Sequence, residues 1–329
     1  MTAWSSSDMP ASSTSAPCVA VIVPCYNEAL SIAKVITDFR AALPGADIYV
    51  CDNNSTDRTA EVAREHGAIV SSERRQGKGH VMRRMFAEID ADIYVLVDGD
   101  DTYRAASAPA MVALLQERQL DMVIGSRMAT YHDSSSRQLH HAGNRGITFL
   151  INTLFGSRLA DVLSGYRVMS RAFVKALPFE AGGFEVETRL TVQALELDAA
   201  IEEMEVPYGA RTAGSVSKLR TLPDGWRILR TIIYLFKEAK PLPFFIGLAA
   251  LLMLLCLGLG LPVVYEFLET KLVERVPTAI LAASMGVLSA LSLACGVILD
   301  SVKNSRLETK RLFYLLQKRL DGIRASGGA

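Results

Sequence analysis

Cysteine is scarce in this 329-residue sequence and poorly placed for chemistry. The five residues Cys18, Cys25, Cys51, Cys256 and Cys295 show no metal-ligand spacing. That argues against a zinc-type site and leaves them as small apolar fillers in a reducing compartment. Charge of one sign is missing too: 35 Lys and Arg balance 35 Asp and Glu, so composition gives no reason to expect a nucleic-acid partner. No Gly-x-Gly-x-x-Gly follows the first apolar run and no Gly-x4-Gly-Lys-Ser/Thr occurs, which removes the dinucleotide fingerprint and the P-loop. Residues 1–17 are rich in Ser, Ala and Thr. They lack the basic-then-apolar pattern of a secretory leader and are expected to form a flexible tail.

Half of the residues are hydrophobic, and they are unevenly distributed. Residues 18–220 mix charge with short apolar runs, as a soluble α/β domain does. The stretches 244–265 and 278–299 carry no charge, and each is 22 residues long. At ~1.5 Å per residue each reaches roughly 33 Å, enough for a ~30 Å hydrocarbon core, so residues 243–300 read as a transmembrane hairpin. Pro262 falls near the end of the first span, where it is tolerated. Arg227, Arg230, Lys237 and Lys240 precede the hairpin, and Lys303, Arg306, Lys310 and Arg311 follow it. The loop between the spans has only Lys271 and Arg275 beside three glutamates. The positive-inside rule therefore puts both termini and the 18–220 domain in the cytoplasm. Residues 221–242 place Trp226, Ile232 and Phe236 among cations, as an amphipathic helix at the membrane surface would. Residues 301–329 read as a basic cytoplasmic tail of similar character, suited to the same surface.

Within residues 18–220 strands and helices alternate. Apolar runs at 18–24, 48–51, 68–71, 93–97 and 122–125 read as strands, with helices at 27–43, 55–65, 77–89 and 105–118. That alternation predicts a mainly parallel sheet with helices on both faces, whose ligands gather beyond the carboxyl ends of the strands. Three polar clusters fall on that rim: Pro24 to Glu28, Asp52 to Asp57, and Asp98-Gly99-Asp100-Asp101. Three carboxylates within four positions at a buried strand end call for a cation, and oxygen ligands favour Mg²⁺ or Mn²⁺. The same residues could form a solvated Asp-rich turn, but the apolar strand before them favours the ion. Gln76-Gly77-Lys78-Gly79 is either a plain turn or a loop that brings Lys78 to a nucleotide. Between 127 and 145, His140 and His141 read as surface residues, whereas Arg127, Arg137 and Arg145 offer the cations that a phosphate-handling rim needs.

Together these segments resemble a known family. Val23-Pro24-Cys25-Tyr26-Asn27-Glu28, Asp52-Asn53-Asn54-Ser55-Thr56-Asp57 and Asp98-Gly99-Asp100 resemble the donor half of inverting family 2 glycosyltransferases of the GT-A fold. The segments 161–167 (DVLSGYR) and 211–219 (RTAGSVSKL), with two C-terminal spans, are similar to the polyisoprenyl-phosphate glycosyltransferases, relatives of dolichol-phosphate mannose synthase and the undecaprenyl-phosphate enzymes. The likeness covers roughly residues 18–300 and implies a donor half at 18–130 and an acceptor half at 131–220. It implies that Pro24, Tyr26 and Glu28 line a nucleoside pocket and that Asp52 meets the base or ribose. Asp98 and Asp100 would hold the divalent ion on the donor diphosphate, Asp100 being the nearer, with Arg211, Ser217 and Lys218 closing over it. Arg127, Arg137, Ser164 and Arg167 would bind the lipid phosphate, and Asp161, Ser164 and Arg167 would form the acceptor-side segment below the sugar. The chain has Asp101-Thr102-Tyr103-Arg104 where the mannose synthases carry a Leu-Gln-His-Pro-like run, so the donor sugar does not carry over.

The chemistry this implies needs no strong general base. A lipid phosphate has its second pKa near ~6 and is already a nucleophilic dianion at neutral pH. The expectation is therefore metal-dependent transfer from a nucleotide sugar, UDP-linked and with an N-acetylhexosamine preferred, to a polyprenyl phosphate. Self-association into a homo-oligomer is compatible with it. A family 2 enzyme with a hydroxyl acceptor is the nearest alternative, although the Gln-x-x-Arg-Trp segment of chain-elongating synthases is absent. A non-catalytic scaffold binding nucleotide sugar or lipid phosphate is the alternative of another class, disfavoured by Asp52, Asp98 and Asp100. Glu187, near the predicted start of a further helix, could touch sugar hydroxyls, act as a base, or serve only the helix dipole.

Overall fold

A computed structural model describes residues 17–127, 138–178, 186–209, 233–234 and 236–327. The expectations at Arg137, Arg211, Ser217 and Lys218, and most of the interfacial stretch 221–242, lie outside these residues.

The predicted alternation is present as β1 (Val19–Cys25), α1 (Ile32–Ala42), β2 (Asp47–Asp52), α2 (Thr59–Glu65), β3 (Ile69–Ser72), α3 (Lys78–Glu88), β4 (Ile93–Leu96), α4 (Ala108–Glu117) and β5 (Met122–Ser126). There follow α5 (Gln138–Phe155), β6 (Arg167–Ser170), α6 (Arg171–Ala176), α7 (Val186–Glu196) and β7 (Ile201–Glu205). All seven strands form one sheet in the order β3-β2-β1-β4-β6-β5-β7. β6 alone runs against its neighbours, pairing Leu96 and Ile124 with Arg167. It therefore enters from the rim at which the other strands end.

Period-two alternation splits β1 between two apolar layers. Val21 and Val23 pack with Ile36 and Phe39 of α1 and Met111 of α4 on one face. Ala20 and Ile22 pack with Met82 and Phe86 of α3 and Leu190 of α7 on the other. In α1 the buried residues Ile32, Val35, Ile36 and Phe39 follow the i, i+3, i+4, i+7 spacing of a one-sided helix. That helix starts at Ile32, five residues after the expected Asn27. Asn27 has φ of 54°, and Glu28 takes the N–H groups of Ser31 and Ile32 in a turn, so these residues form a loop on the rim.

The chain divides into two compact units, one made of the residues up to Arg220 together with Lys310 onward, the other of Thr221–Thr309. In the second unit, α8 (Pro241–Thr270) and the first part of α9 (Val276–Gly327) are long and apolar enough to cross a membrane. Only 6% and 17% of their most apolar windows are buried, unlike the core helices of a soluble domain. They approach closely: Ser289 Oγ donates to the Ala249 carbonyl at 2.8 Å, and a Cβ on Gly296 would come within 2.8 Å of Phe245 Cβ. Small residues at the crossing let the two helix backbones approach closely.

The tail after Lys310 does not behave as a free basic segment. Tyr314 donates to Asp121 Oδ2 at 2.5 Å, Lys318 reaches the same oxygen at 3.2 Å, and Lys310 pairs with Glu196 at 3.1 Å. Arg171 pairs with Asp321 at 2.9 Å. Lys310 and Lys318 thus face carboxylates of the first unit. Burial, then the hydrogen bond to Asp121, raises the Tyr314 pKa.

Candidate active site

The rim is assembled by loops that tie one strand end to the next. Beyond β1, the Asn27 N–H donates to Ser55 Oγ at 2.9 Å while Asn27 Oδ1 accepts from the Thr56 N–H at 2.8 Å. The Glu28 N–H donates to Thr59 Oγ1 at 2.8 Å. Beyond β2, the Asn53 side-chain amide donates to the carbonyls of Glu73 and Arg75, and its oxygen accepts from the Gly77 N–H at 2.7 Å. Gly77 has φ of 128°, a left-handed backbone that favours glycine, and it turns the chain into α3 at Lys78. Pro24, Tyr26 and Glu28 are half-buried along this edge. Asp52 is buried; its Oδ2 accepts from the Ser55 N–H at 3.2 Å, whereas its buried Oδ1 has no partner among the described residues. An orphaned buried carboxylate oxygen suits a ligand N–H or hydroxyl.

Next to it, beyond β4, stands the acidic cluster. Lys78 Nζ lies 2.5 Å from Asp98 Oδ1 and 2.5 Å from Glu187 Oε1, joining the cluster to the first turn of α7. Burial by itself would lower the Lys78 pKa, but the two carboxylates outweigh it and raise it. Asp100 is buried, and its Oδ1 accepts from the Thr102 N–H at 3.2 Å and Thr102 Oγ1 at 2.6 Å. Asp101, at φ of 59°, instead meets Lys34 of α1 at 2.8 Å. The three consecutive-looking acids thus separate into two on the rim and one paired with α1.

The acidic cluster offers the kind of oxygen donor that a divalent ion takes. Among the described residues no group of three or more His, Cys, Asp or Glu could hold a metal. The protein would supply Asp98 and Asp100 as oxygen donors and leave the remaining positions to diphosphate and water. This is how Mg²⁺ is usually bound beside substrate phosphates.

The 161–167 segment meets the cluster at Gly165. A Cβ there would run into the Asp98 carboxylate, so glycine leaves room for this approach. Tyr103 Oη accepts from the Gly165 N–H at 2.9 Å, and burial raises the Tyr103 pKa. Nearby, Asp161 grips Arg127 with both oxygens, at 2.7 Å from Nε and 2.8 Å from Nη2. Asp161 is fully buried; burial pushes its carboxyl up, yet the bonds and charge of Arg127 hold it below the usual carboxylate range. The Arg127 guanidinium also sits 5.6 Å from the centre of the Tyr208 ring.

Ser164 and Arg167 depart from expectation. Both are fully buried. The Ser164 hydroxyl donates to the Gly125 carbonyl at 2.5 Å. Arg167 donates to the carbonyls of Ser164 and Val162 at 3.0 and 2.8 Å, and burial pushes its pKa down to about 10. As placed they shape the 161–165 segment from beneath and present no surface to a phosphate. Tyr103, Asn144, Glu203 and Tyr208 belong to the site's surroundings and carried no signal in the sequence. A groove of about 450 Å³ near Leu242, Val297 and Asp300 lies within the second unit and contains none of the rim residues.

A family model described as glycosyl transferase family 2 matches residues 20–177. The chain is 32% identical over 297 residues to glycosyltransferase AglJ of Haloferax volcanii, covering 89% of this chain and 97% of that protein. It is 30% identical over 223 residues to the dolichyl-phosphate hexose transferase of the same organism, covering 68% and 95%. Among solved structures it is similar to glucosyl-3-phosphoglycerate synthase from Mycobacterium tuberculosis in complex with Mn²⁺, UDP-glucose and phosphoglyceric acid. That match has a TM-score of 0.55 and 26% identity, and covers 68% of this chain and 80% of the neighbour's.

Proposed function

The chain belongs to glycosyl transferase family 2, and from that premise we propose that it transfers a sugar, with inversion, from a UDP-sugar to a polyprenyl phosphate at the cytoplasmic face of a membrane. The observation that carries this reading is the meeting of the two halves of the rim. Gly165, from the segment whose Asp161 grips Arg127, lies against the carboxylate of Asp98. A donor diphosphate and an acceptor anion could therefore come together there, and the two apolar helices would bring the lipid. The names of the relatives point the same way: one is a dolichyl-phosphate hexose transferase, and the structural neighbour was solved with UDP-glucose.

In this reading Pro24, Tyr26 and Glu28 line the nucleoside, and the orphaned oxygen of Asp52 receives a base N–H or ribose hydroxyl. Asp98 and Asp100 hold Mg²⁺ or Mn²⁺, which when bound neutralises charge on the departing diphosphate. Lys78 and Glu187 border the sugar, Glu187 as an acceptor for its hydroxyls. Arg127, fixed by Asp161, seats the lipid phosphate and screens it from the diphosphate. A phosphate oxygen attacks the anomeric carbon, the bond to the diphosphate breaks, and its electron pair leaves with UDP. No proton has to be removed from the nucleophile. Arg137, Arg211, Ser217 and Lys218 are assigned here on the family likeness alone.

The test uses detergent-solubilised protein, undecaprenyl phosphate and a panel of radiolabelled nucleotide sugars with Mg²⁺ or Mn²⁺, UDP-N-acetylhexosamines first. An acid-labile, anionic labelled lipid is expected. Label confined to neutral lipid or polymer would replace the lipid phosphate with a hydroxyl acceptor. Asp100→Asn should lower turnover by about 10²–10³-fold, the scale of losing one preorganised charge contact, without changing the melting temperature.

A further inference from the structure

Glu203 lies in β7, opposite Ile124 of β5. Its carboxylate receives two successive backbone N–H groups from a distant loop, Ala160 at 2.6 Å on Oε2 and Asp161 at 2.8 Å on Oε1. One rigid carboxylate bound to two consecutive amides fixes both the position and the direction of the chain at that point. Bonds to an ionised acceptor are also roughly twice as strong as neutral ones.

The residue held in this way is Asp161, which grips Arg127 at Nε and Nη2 and also accepts the Arg127 backbone N–H at 3.2 Å. Arg127 directly follows Ser126, the last residue of β5, the strand with which β7 pairs. The contacts therefore close a circuit. β5 leads to Arg127, β7 carries Glu203, Glu203 fixes the 160–161 turn, and that turn returns Asp161 to Arg127. A guanidinium that must meet an incoming phosphate in line benefits from such bracing, because an error of about 1 Å in placement can cost about 10²-fold in rate.

We infer that Glu203 is a positioning residue for the acceptor anion, acting through the Ala160–Asp161 turn on the orientation of Arg127. The inference rests on the proposed reading of Arg127 as a ligand of the lipid phosphate. Glu203 itself touches neither substrate nor reacting atoms.

Glu203→Gln in the full-length protein tests it. Glutamine keeps one acceptor oxygen and sets an NH₂ group against the second backbone N–H. The KM for undecaprenyl phosphate should rise about tenfold while the KM for the nucleotide sugar stays unchanged. Amide hydrogen exchange at Asp161 and Arg127 should quicken. In an Asp161→Asn background the same change should add nothing to the acceptor KM, since the link is already cut. Equal losses for donor and acceptor, additive effects in the double variant, or unchanged exchange at Asp161 and Arg127 would each overturn the inference. Arg127→Ala with an unaltered acceptor KM would instead remove the acceptor reading, and the exchange rates would still decide what Glu203 holds in place.

Discussion

The two ends of the seven-stranded sheet carry the same chemical group and use it in opposite ways. At the rim, the Asp98 side chain is 33% exposed and meets a Lys78 side chain that is 29% exposed. At the far end, Asp121 is 1% exposed and takes hydrogen bonds from Ser170, Ala200, Tyr314 and Lys318. A flexible, part-exposed ammonium can give way to an incoming cation or phosphate. A backbone amide and a buried phenol cannot. Fixed donors and burial, rather than charge, separate a carboxylate available for exchange from one that fastens the fold.

The strongest way to break this contrast is Lys78→Met. At the rim it should lower kcat/KM about 10²-fold or more while the unfolding midpoint changes little, because solvent and metal can neutralise Asp98 and Glu187. Transfer assays run beside thermal unfolding would show it; a large fall in stability would mean that the rim is held as rigidly as the far end. Tyr314→Phe should do the reverse. It removes one donor to a buried charge, about 2 kcal/mol, and should lower stability in urea titrations while KM for both substrates is kept. The smallest effect is on pH dependence and concerns Asp161, which lies at the rim yet is buried like Asp121. Its carboxyl is held below the usual range, so the folded state binds fewer protons than the unfolded chain near pH ~4. The stability it adds is present above that pH and is lost as pH falls through the native pKa. Melting curves of wild type and Asp161→Asn should therefore converge on acidification below pH ~4.

The parts of the fold that were legible follow from local pattern. β1 and β4 are short apolar runs, and α1 shows its buried stripe in the spacing of Ile32, Val35, Ile36 and Phe39. β6 was not legible: it is four residues long and begins with a buried arginine. β7 has three glutamates in five residues and reads as surface. Both owe their place to partners far away in sequence. At the site, Asp52, Asp98 and Asp100 could be placed because strand ends of a parallel sheet share a rim. Arg167 was misjudged because sequence does not tell a guanidinium that meets phosphate from one that meets the carbonyls of Val162 and Ser164. Glu203 was missed for a related reason, since its partners are backbone N–H groups that leave no mark on residue type.

The docking of Tyr314 on Asp121 also sets an order of events. The catalytic unit is interrupted in sequence: its last portion, from Lys310, is synthesised only after Thr221–Thr309 with both apolar helices. The two apolar helices are thus an insertion within this unit's sequence rather than an appendage to it. On the ribosome, Asp121 waits for nearly two hundred further residues before its phenol partner exists, so that contact forms only after both apolar helices have been made. A fragment cut before residue 241 would lack that contact.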